Sequence, residues 1–278
     1  MSTSRGTRRT IIFLAASLLL LVQFTCGSAQ AETNVYGGSG LFLTHSAEVA
    51  DPGQWRLGVY GHGYEYKLPE DPEDWDVVPV LNYTPMRNME LMFAVPYRTH
   101  DDGESTTNGI ADGFLGLKYR VHPKVAALVY GNLGWGKDNL GPFSGQTDIG
   151  LMAVFSQPLG RARLDVNAGY QFSDLEDNSG SDLFVWGVGL SVPIVKNTRI
   201  FGEWAGYSAT QYSAPAPSGW TAGLIYAFNE NLELTAGGGS GVNGNGPASP
   251  DWRAFAGLTY TFGTPWSRTA RRLLAMPA

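Results

Sequence analysis

From about Trp55 to Phe262 the chain is a train of short segments in which apolar and polar residues alternate. Between Ala162 and Phe172, the apolar Ala162, Leu164, Val166, Ala168, Tyr170 and Phe172 interleave with Arg163, Asp165, Asn167, Gly169 and Gln171. A period of two describes an extended strand with one apolar and one polar face. A soluble sandwich buries that apolar face in a core, whereas a membrane barrel turns it to lipid and keeps the polar face in its lumen. Which of the two applies governs every later inference.

The first residues favour export. Arg5, Arg8 and Arg9 precede an apolar run from Ile11 to Val22, and Ala29-Gln30-Ala31 follows. A basic start, an apolar middle and a small-x-small site describe a secretory signal peptide, 1–31, cut after Ala31. The run is shorter than the about 20 apolar residues that a spanning helix needs. The only cysteine, Cys26, lies inside the segment to be removed, so the mature chain has no thiol for a disulfide or a thiolate metal site. Without a second long apolar run, an exported chain that enters a membrane must do so as a closed barrel. Cleavage removes three arginines and no acid, taking the net charge from −6 to −9. An acidic mature chain argues against nucleic acid as a partner, because phosphate binding requires a basic face.

The alternation and its punctuation predict twelve strands: 54–67, 76–84, 90–98, 110–122, 125–136, 148–157, 162–173, 183–194, 199–209, 219–229, 232–242 and 251–262. Ten or fourteen are the fallback counts. Short turns near 85–89, 123–124, 159–161, 195–198 and 230–231 alternate strictly with long loops near 68–75, 99–109, 137–147, 174–182, 210–218 and 243–250. An even-stranded outer-membrane barrel has this wiring, with long loops outside and short turns in the periplasm. The predicted fold class is therefore an all-β, antiparallel transmembrane β-barrel. Its divisions are the signal peptide, a lead segment 32–53, the barrel 54–263 and a basic periplasmic tail 264–278.

Lipid-facing parity, assigned strand by strand, puts Tyr97, Trp135, Phe172, Trp186, Trp220 and Trp252 near the long-loop ends. Trp55, Tyr83, Tyr119, Phe155, Phe228 and Phe262 fall near the short-turn ends. Two belts of rings are what two membrane interfaces select. The same parity points the strand charges inward: Arg56, Glu90, Arg98, Asp112, Lys118, Arg120, Arg163, Asp165, Glu203, Glu233 and Arg253. A charge on the lipid face near the midplane costs roughly 2–4 kcal/mol, which enforces that direction. Such charges either line a narrow aqueous path or brace the lumen as ion pairs. Twelve strands fall between barrels filled by side chains and open porins, which fits a constricted passage for a small solute.

The lead segment contains Gly37-Gly38-Ser39-Gly40-Leu41-Phe42-Leu43-Thr44 and belongs to no clear strand. It folds into the lumen, adds an edge strand or leads into the barrel. It is no phosphate cradle, because no Lys and helix follow it. Residues 68–76, 99–109 and 174–182 hold 12 of the 25 acids and no Lys or Arg. That rim could focus cations or share divalent ions with lipopolysaccharide. Asp174, Glu176 and Asn178 are spaced like a calcium loop, but Gly180 falls one place late and no Glu closes it. No histidine has metal-ligand spacing to another, so neither metal nor cofactor is expected. His100 beside Asp101 and Asp102, with Ser105 close by, is the one hint of a hydrolase.

Three stretches resemble a known family. Ala111-Asp112-Gly113-Phe114-Leu115-Gly116-Leu117-Lys118-Tyr119-Arg120 is similar to the Gly/Asp-rich strand of the bacterial MetA-pathway-of-phenol-degradation-like barrels, often called transporter-like. Asn197-Thr198-Arg199-Ile200-Phe201-Gly202-Glu203-Trp204 and the segment Pro250–Phe262 resemble that family's later strands. The resemblance implies an outer-membrane barrel moving small, aromatic or hydrophobic compounds, and it brings no catalytic residues. The closing Leu258-x-Tyr260-x-Phe262 resembles the signal read by the outer-membrane assembly machinery, although a tail follows it. The expected function is passive passage of a small-molecule solute across the bacterial outer membrane, by a chain in contact with its lipid and lipopolysaccharide. The rivals are a closed structural or adhesion barrel acting through acidic loops, and a barrel hydrolase.

Overall fold

A computed structural model describes residues 32–66, 72–136, 140, 147–172, 182–208, 216–243 and 249–263. The expected signal peptide, the tail after Gly263 and the calcium-like pattern at 174–180 lie outside the described residues. The strands are Trp55–Tyr66 (β1), Glu73–Met86 (β2), Met89–Ala94 (β3), Tyr97–Asp101 (β4), Thr106–Ile110 (β5), Gly113–His122 (β6) and Val125–Leu133 (β7). Asp148–Leu159 (β8), Ala162–Phe172 (β9), Leu183–Val195 (β10), Thr198–Tyr207 (β11), Ser218–Ala227 (β12), Leu232–Asn243 (β13) and Pro250–Phe262 (β14) complete them. Every pairing is antiparallel, and β1 pairs with β14 on one side and β2 on the other, so the sheet closes on itself. Among the described residues there is no helix.

Fourteen ladder segments make twelve barrel strands, because β3 runs into β4 and β5 into β6. β2 pairs with β3 in its second half and with β4 in its first. The interruption has a chemical cause. Pro96 has no N–H to give the ladder, so pairing stops at Val95-Pro96 and at Ala111-Asp112 opposite. The wall stays hydrogen-bonded across the gap through Val95 N–H to the Pro79 carbonyl (3.2 Å) and Ala111 N–H to the Pro96 carbonyl (2.9 Å).

One loop expectation is corrected. The long loop expected over 99–109 is a hairpin, with Thr99 opposite Asn108 and His100 opposite Thr107. Only 102–105 turn. Gly103 takes a positive φ of 86°, and the Asp102 carboxylate accepts the N–H groups of Glu104 (3.0 Å) and Ser105 (2.6 Å). That Asp-Gly turn chemistry outweighed the polar composition that suggested a loop. The same bonds hold the Asp102 carboxyl below the usual carboxylate range.

The outer wall is apolar. Leu57, Val59, Leu115, Leu117, Val129, Leu151, Val188, Leu190, Ile200 and Leu258 all point outward, exposed. Their strand neighbours, such as Tyr60, Val80, Leu128 and Val154, are buried inside. A continuous exposed apolar band of this extent requires lipid as its solvent, and the barrel is a bacterial outer-membrane one. Rings cluster at the barrel ends. Trp55 stacks on Tyr83 at 4.1 Å where β1 meets β2, and Trp75 lies 5.8 Å from Trp252 at the other end.

Candidate functional site: a plugged lumen beneath an outer vestibule

The lead segment occupies the lumen. Of the three placements open in the sequence, the structure takes that one, and Phe42, Asn34, Ser46 and Ala47 are each 0 % exposed. The segment folds on itself before it meets the wall. Asn34 Oδ1 accepts the N–H groups of Tyr36 (3.1 Å) and Gly38 (2.8 Å), and short bridges join Thr33 to Ser39 and Gly40 to His45. The glycine run is steric. Gly37 has φ +83°, and a Cβ there would sit 3.0 Å from the wall carbonyls of Leu81 and Phe93. A Cβ on Gly38 would meet Met92 Sδ at 2.3 Å, so only glycine lets the plug lie this close.

Wall side chains satisfy the plug's backbone. Glu203 on β11 accepts the N–H groups of Phe42 (3.2 Å), Leu43 (3.0 Å) and Thr44 (2.7 Å) and the Thr44 hydroxyl (2.8 Å). Asn167 on β9 accepts from His45 N–H (2.7 Å) and donates to the His45 carbonyl (2.8 Å). Ser156 accepts from Ala47 N–H (2.7 Å), and Asn82 donates to the Gly37 carbonyl (2.9 Å). A buried irregular backbone survives only with such partners. Shape adds to polarity. Phe42 lies flat on Phe255 with centroids 3.6 Å apart, and the bare backbones of Gly187 and Gly189 leave notches that receive Thr44 and Leu41.

The inward charges divide into groups. Lys118 and Arg56 flank Glu90 at 2.5 and 3.7 Å, and Glu90 also accepts the Ser39 hydroxyl at 2.6 Å. Lys118 donates to the Ser46 carbonyl (2.8 Å). Nearer the short-turn end, Arg163 reaches Glu32 (2.8 Å), Glu48 (2.7 Å) and Asp165 (2.9 Å), and Arg199 also pairs with Glu32. Glu233 is half-buried beside them. Arg120 sits at the rim, where it holds the turn between β2 and β3 through the Arg87 carbonyl (2.8 Å) and Asn88 (3.1 Å). Arg98, Asp112 and Arg253 line the outer cavity instead. The arrangement is thus mostly ion pairs holding the plug, with three further charges lining the outer cavity.

Above the plug lies a vestibule of about 370 Å³, facing the long-loop end. Tyr36, Leu43 and His45 of the plug make its floor, and Phe114, Tyr130 and Val185 are among its walls. Its rim is charged but paired: Arg98 grips Asp76 with two bonds of 2.7 and 2.8 Å, and Asp74 takes His100 at 2.6 Å. Asp74 and Asp76 are 0 % and 5 % exposed, so two acids expected on the outer loop surface face inward. Within the plug, burial holds His45 far below the usual histidine range, at about 3, with the Lys118 charge adding to the effect and Glu90 opposing it. Its Nδ1 accepts from the Asn34 amide (3.0 Å), as a neutral ring requires.

The hydrolase hint does not assemble. His100 bonds Asp74, whereas Ser105 bonds Asp102 (3.1 Å) within its own turn. Among the described residues no group of three or more His, Cys, Asp or Glu side chains is arranged to hold a metal ion.

On the outer wall, Tyr97, Tyr119, Trp135, Phe155, Phe172, Trp220 and Phe262 are exposed. Trp55, Tyr83, Trp186, Phe228 and Trp252 are half-buried against neighbouring rings, Trp186 for example edge-on to Trp204 at 5.2 Å. Sequence reasoning missed the plug's uncharged partners Asn82, Ser156 and Asn167, together with Tyr60, whose hydroxyl donates to the Thr33 carbonyl. Their inward parity was readable; what they hold was not.

No protein-family model matches the chain, and no curated protein matches it. Solved structures do. The COG4313 outer membrane channel from Pseudomonas putida F1 superposes with a TM-score of 0.62 at 16% identity, over 78% of this chain and 98% of that one. The CymD monoaromatic hydrocarbon channel gives 0.47 at 10% identity, over 86% and 99%. The translocator domain of the autotransporter NalP from Neisseria meningitidis gives 0.47 at 12% identity, over 78% and 91%. The first likeness bears out the twelve-strand outer-membrane barrel as a fold.

Proposed function

We propose that this chain is an outer-membrane channel for passive passage of a small solute, closed here by its own residues 32–50. The observation that carries it is the two-storey lumen: a vestibule of about 370 Å³ at the long-loop end of the strands, floored by a segment that is not part of the wall. A barrel that served only as a scaffold could fill its lumen from the wall strands, as small barrels do. Here the filling is a separate stretch of chain, continuous through residues 51–54 with β1 and paired into no wall strand among the described residues. Its displacement would join the vestibule to the periplasmic side without breaking the sheet. The resemblance to the transporter-like barrels agrees with this reading, and so does the fold shared with a channel.

The lumen charges act in it mainly as fasteners, and Arg98, Asp112 and Arg253 line the vestibule through which a solute would pass. The outward rings anchor the barrel at the two interfaces. The aromatic, half-polar lining favours a solute with a flat or apolar body over a fully hydrated ion. The test is planar-bilayer recording of the mature chain beside a form lacking residues 32–50. The truncated form is expected to conduct steadily and far more than the full mature chain. Equal, negligible conductance from both, with the barrel folded, would instead favour the closed structural barrel.

A further inference from the structure

One carboxylate in the lower lumen has neither a cation nor a hydrogen-bond donor as its partner among the described residues. Arg56, Lys118, Arg163 and Arg199 are matched there by Glu32, Glu48, Glu90 and Asp165, to which they are directly paired. Glu203 is separately satisfied by plug N–H groups. Glu233 is left over. Its parity on β13 is inward, two residues below the buried Thr235 and opposite Thr259. It lies within electrostatic reach of Arg56, Arg163 and Arg199. Yet among the described residues none donates a hydrogen bond to its carboxylate or pairs with it. An ionised carboxylate without a partner inside a barrel is costly.

The plug supplies an unmatched donor. Glu32 is 2 % exposed, its side chain is clamped by Arg163 and Arg199, and its carbonyl accepts from Gly40 N–H (3.0 Å). Among the described residues its own main-chain nitrogen finds no acceptor. The sheet order places this nitrogen on the Glu233 side of the lumen: Arg199 on β11 pairs with Glu32, Tyr60 on β1 donates to the carbonyl of Thr33, the residue after Glu32, and β13, which carries Glu233, lies between those two strands.

We propose that cleavage after Ala31 turns this nitrogen into an α-ammonium, and that Glu233 receives it, so that removal of the signal peptide completes the lock of the plug. Before cleavage the nitrogen is a neutral amide, Glu233 has no partner among the described residues, and a buried residue carries the remaining 31 residues. After cleavage the new terminus brings one positive charge and donors to the one unmatched carboxylate. The barrel therefore closes as a consequence of being processed, and the terminus itself is a binding group. This inference depends on the cleavage position and not on solute passage.

The experiment uses mature protein purified from outer membranes after expression with its own leader. Peptide mass spectrometry first reads the N-terminal residue. The folded barrel is then treated near neutral pH with an N-hydroxysuccinimide acetate, which favours the α-amine, and the terminal peptide is followed in time. Pairing that raises the amine's pKa by one unit removes about nine-tenths of the reactive form, so wild type should react ~10-fold more slowly than Glu233→Gln. Glu233→Asp should keep part of the protection. A variant with one glycine inserted between Ala31 and Glu32 moves the ammonium by about 3.5 Å while leaving every wall residue in place, and it should lose protection as well. Heat-modifiable mobility on a gel verifies that each barrel is folded. A terminus other than Glu32, or equal labelling of wild type, Glu233→Gln and the glycine-extended chain, overturns the proposal. Because no current is measured, a channel that failed to conduct would leave this result intact.

Discussion

Glu203 receives both the main-chain N–H and the hydroxyl of Thr44 on one carboxylate oxygen, at 2.7 and 2.8 Å. One wall side chain thus holds the turn of the plug beneath the vestibule. Hydrogen bonds to a charged acceptor are worth about 1.5–3 kcal/mol each in a buried site, so this contact is a principal fastener. Glu203→Ala should raise the fraction of time the channel spends open by ~10-fold or more, in planar-bilayer recording, with little change in barrel stability. Glu203→Gln, which keeps one oxygen acceptor, should fall between.

Shape should matter as much as charge. A Cβ on Gly189 would lie 2.7 Å from both Leu41 Cδ1 and Thr44 Oγ1. Gly189→Val should therefore displace the plug, with an overpacking cost of about 1–3 kcal/mol borne by plug docking. Proteolysis of 32–50 in the otherwise folded barrel is the measurement. Faster cleavage than wild type is expected, and unchanged protection would contradict the packing seen here.

His45 supplies a pH dependence whose sign follows from its buried state. Docked, the ring stays neutral down to about 3, with Lys118 and Glu90 as the charged groups facing it and Asn34 and Asn167 as its neutral partners. Released, it titrates near the ordinary value of about 6.5. Docking is thus fully favoured above about pH 6.5 and is lost progressively as pH falls below it, by about 2 kcal/mol at pH 5. Conductance should rise between pH 7.5 and 5, and His45→Gln should flatten that rise.

The outer wall makes a different demand. Val188 on β10 is outward and 39% exposed. Val188→Lys should cost roughly 2–4 kcal/mol of folding free energy in phospholipid vesicles if this face meets the bilayer midplane. Denaturant titration of the refolded barrel measures it, and a change within about 0.5 kcal/mol, as at an ordinary solvated surface site, would place this face in water.

The barrel was legible because alternation is local: each strand states its two faces without reference to any other strand. Ala162 to Phe172 carried the parity that sends Asp165 inward and Tyr170 outward, and the short turns supplied the count. The hairpin 97–110 was misjudged because its strands are mostly polar on both faces, so that alternation carries no apolar signal there. The plug was not legible for a related reason. Residues 32–50 have no periodicity, and their conformation is set by the distant Glu203, Asn167 and Asn82. Its glycines were visible as a signal, but the steric demand they answer belongs to the wall.

The central claim is that opening requires residues 32–50 to leave the lumen. A Cβ on Gly189 would sit 3.6 Å from Thr44 Cβ, inside the range that a disulfide bridges, and the chain beyond residue 31 has no cysteine of its own. The decisive measurement is single-channel recording of Leu41→Ala/Thr44→Cys/Gly189→Cys at pH 5, in which both atoms that a Cβ at 189 would crowd have been replaced, oxidised and then reduced in the same bilayer. The account predicts no openings while the plug is tethered and openings once it is freed. Identical currents before and after reduction, with the cross-link verified by mass spectrometry, would show that solute passage does not go through the plug.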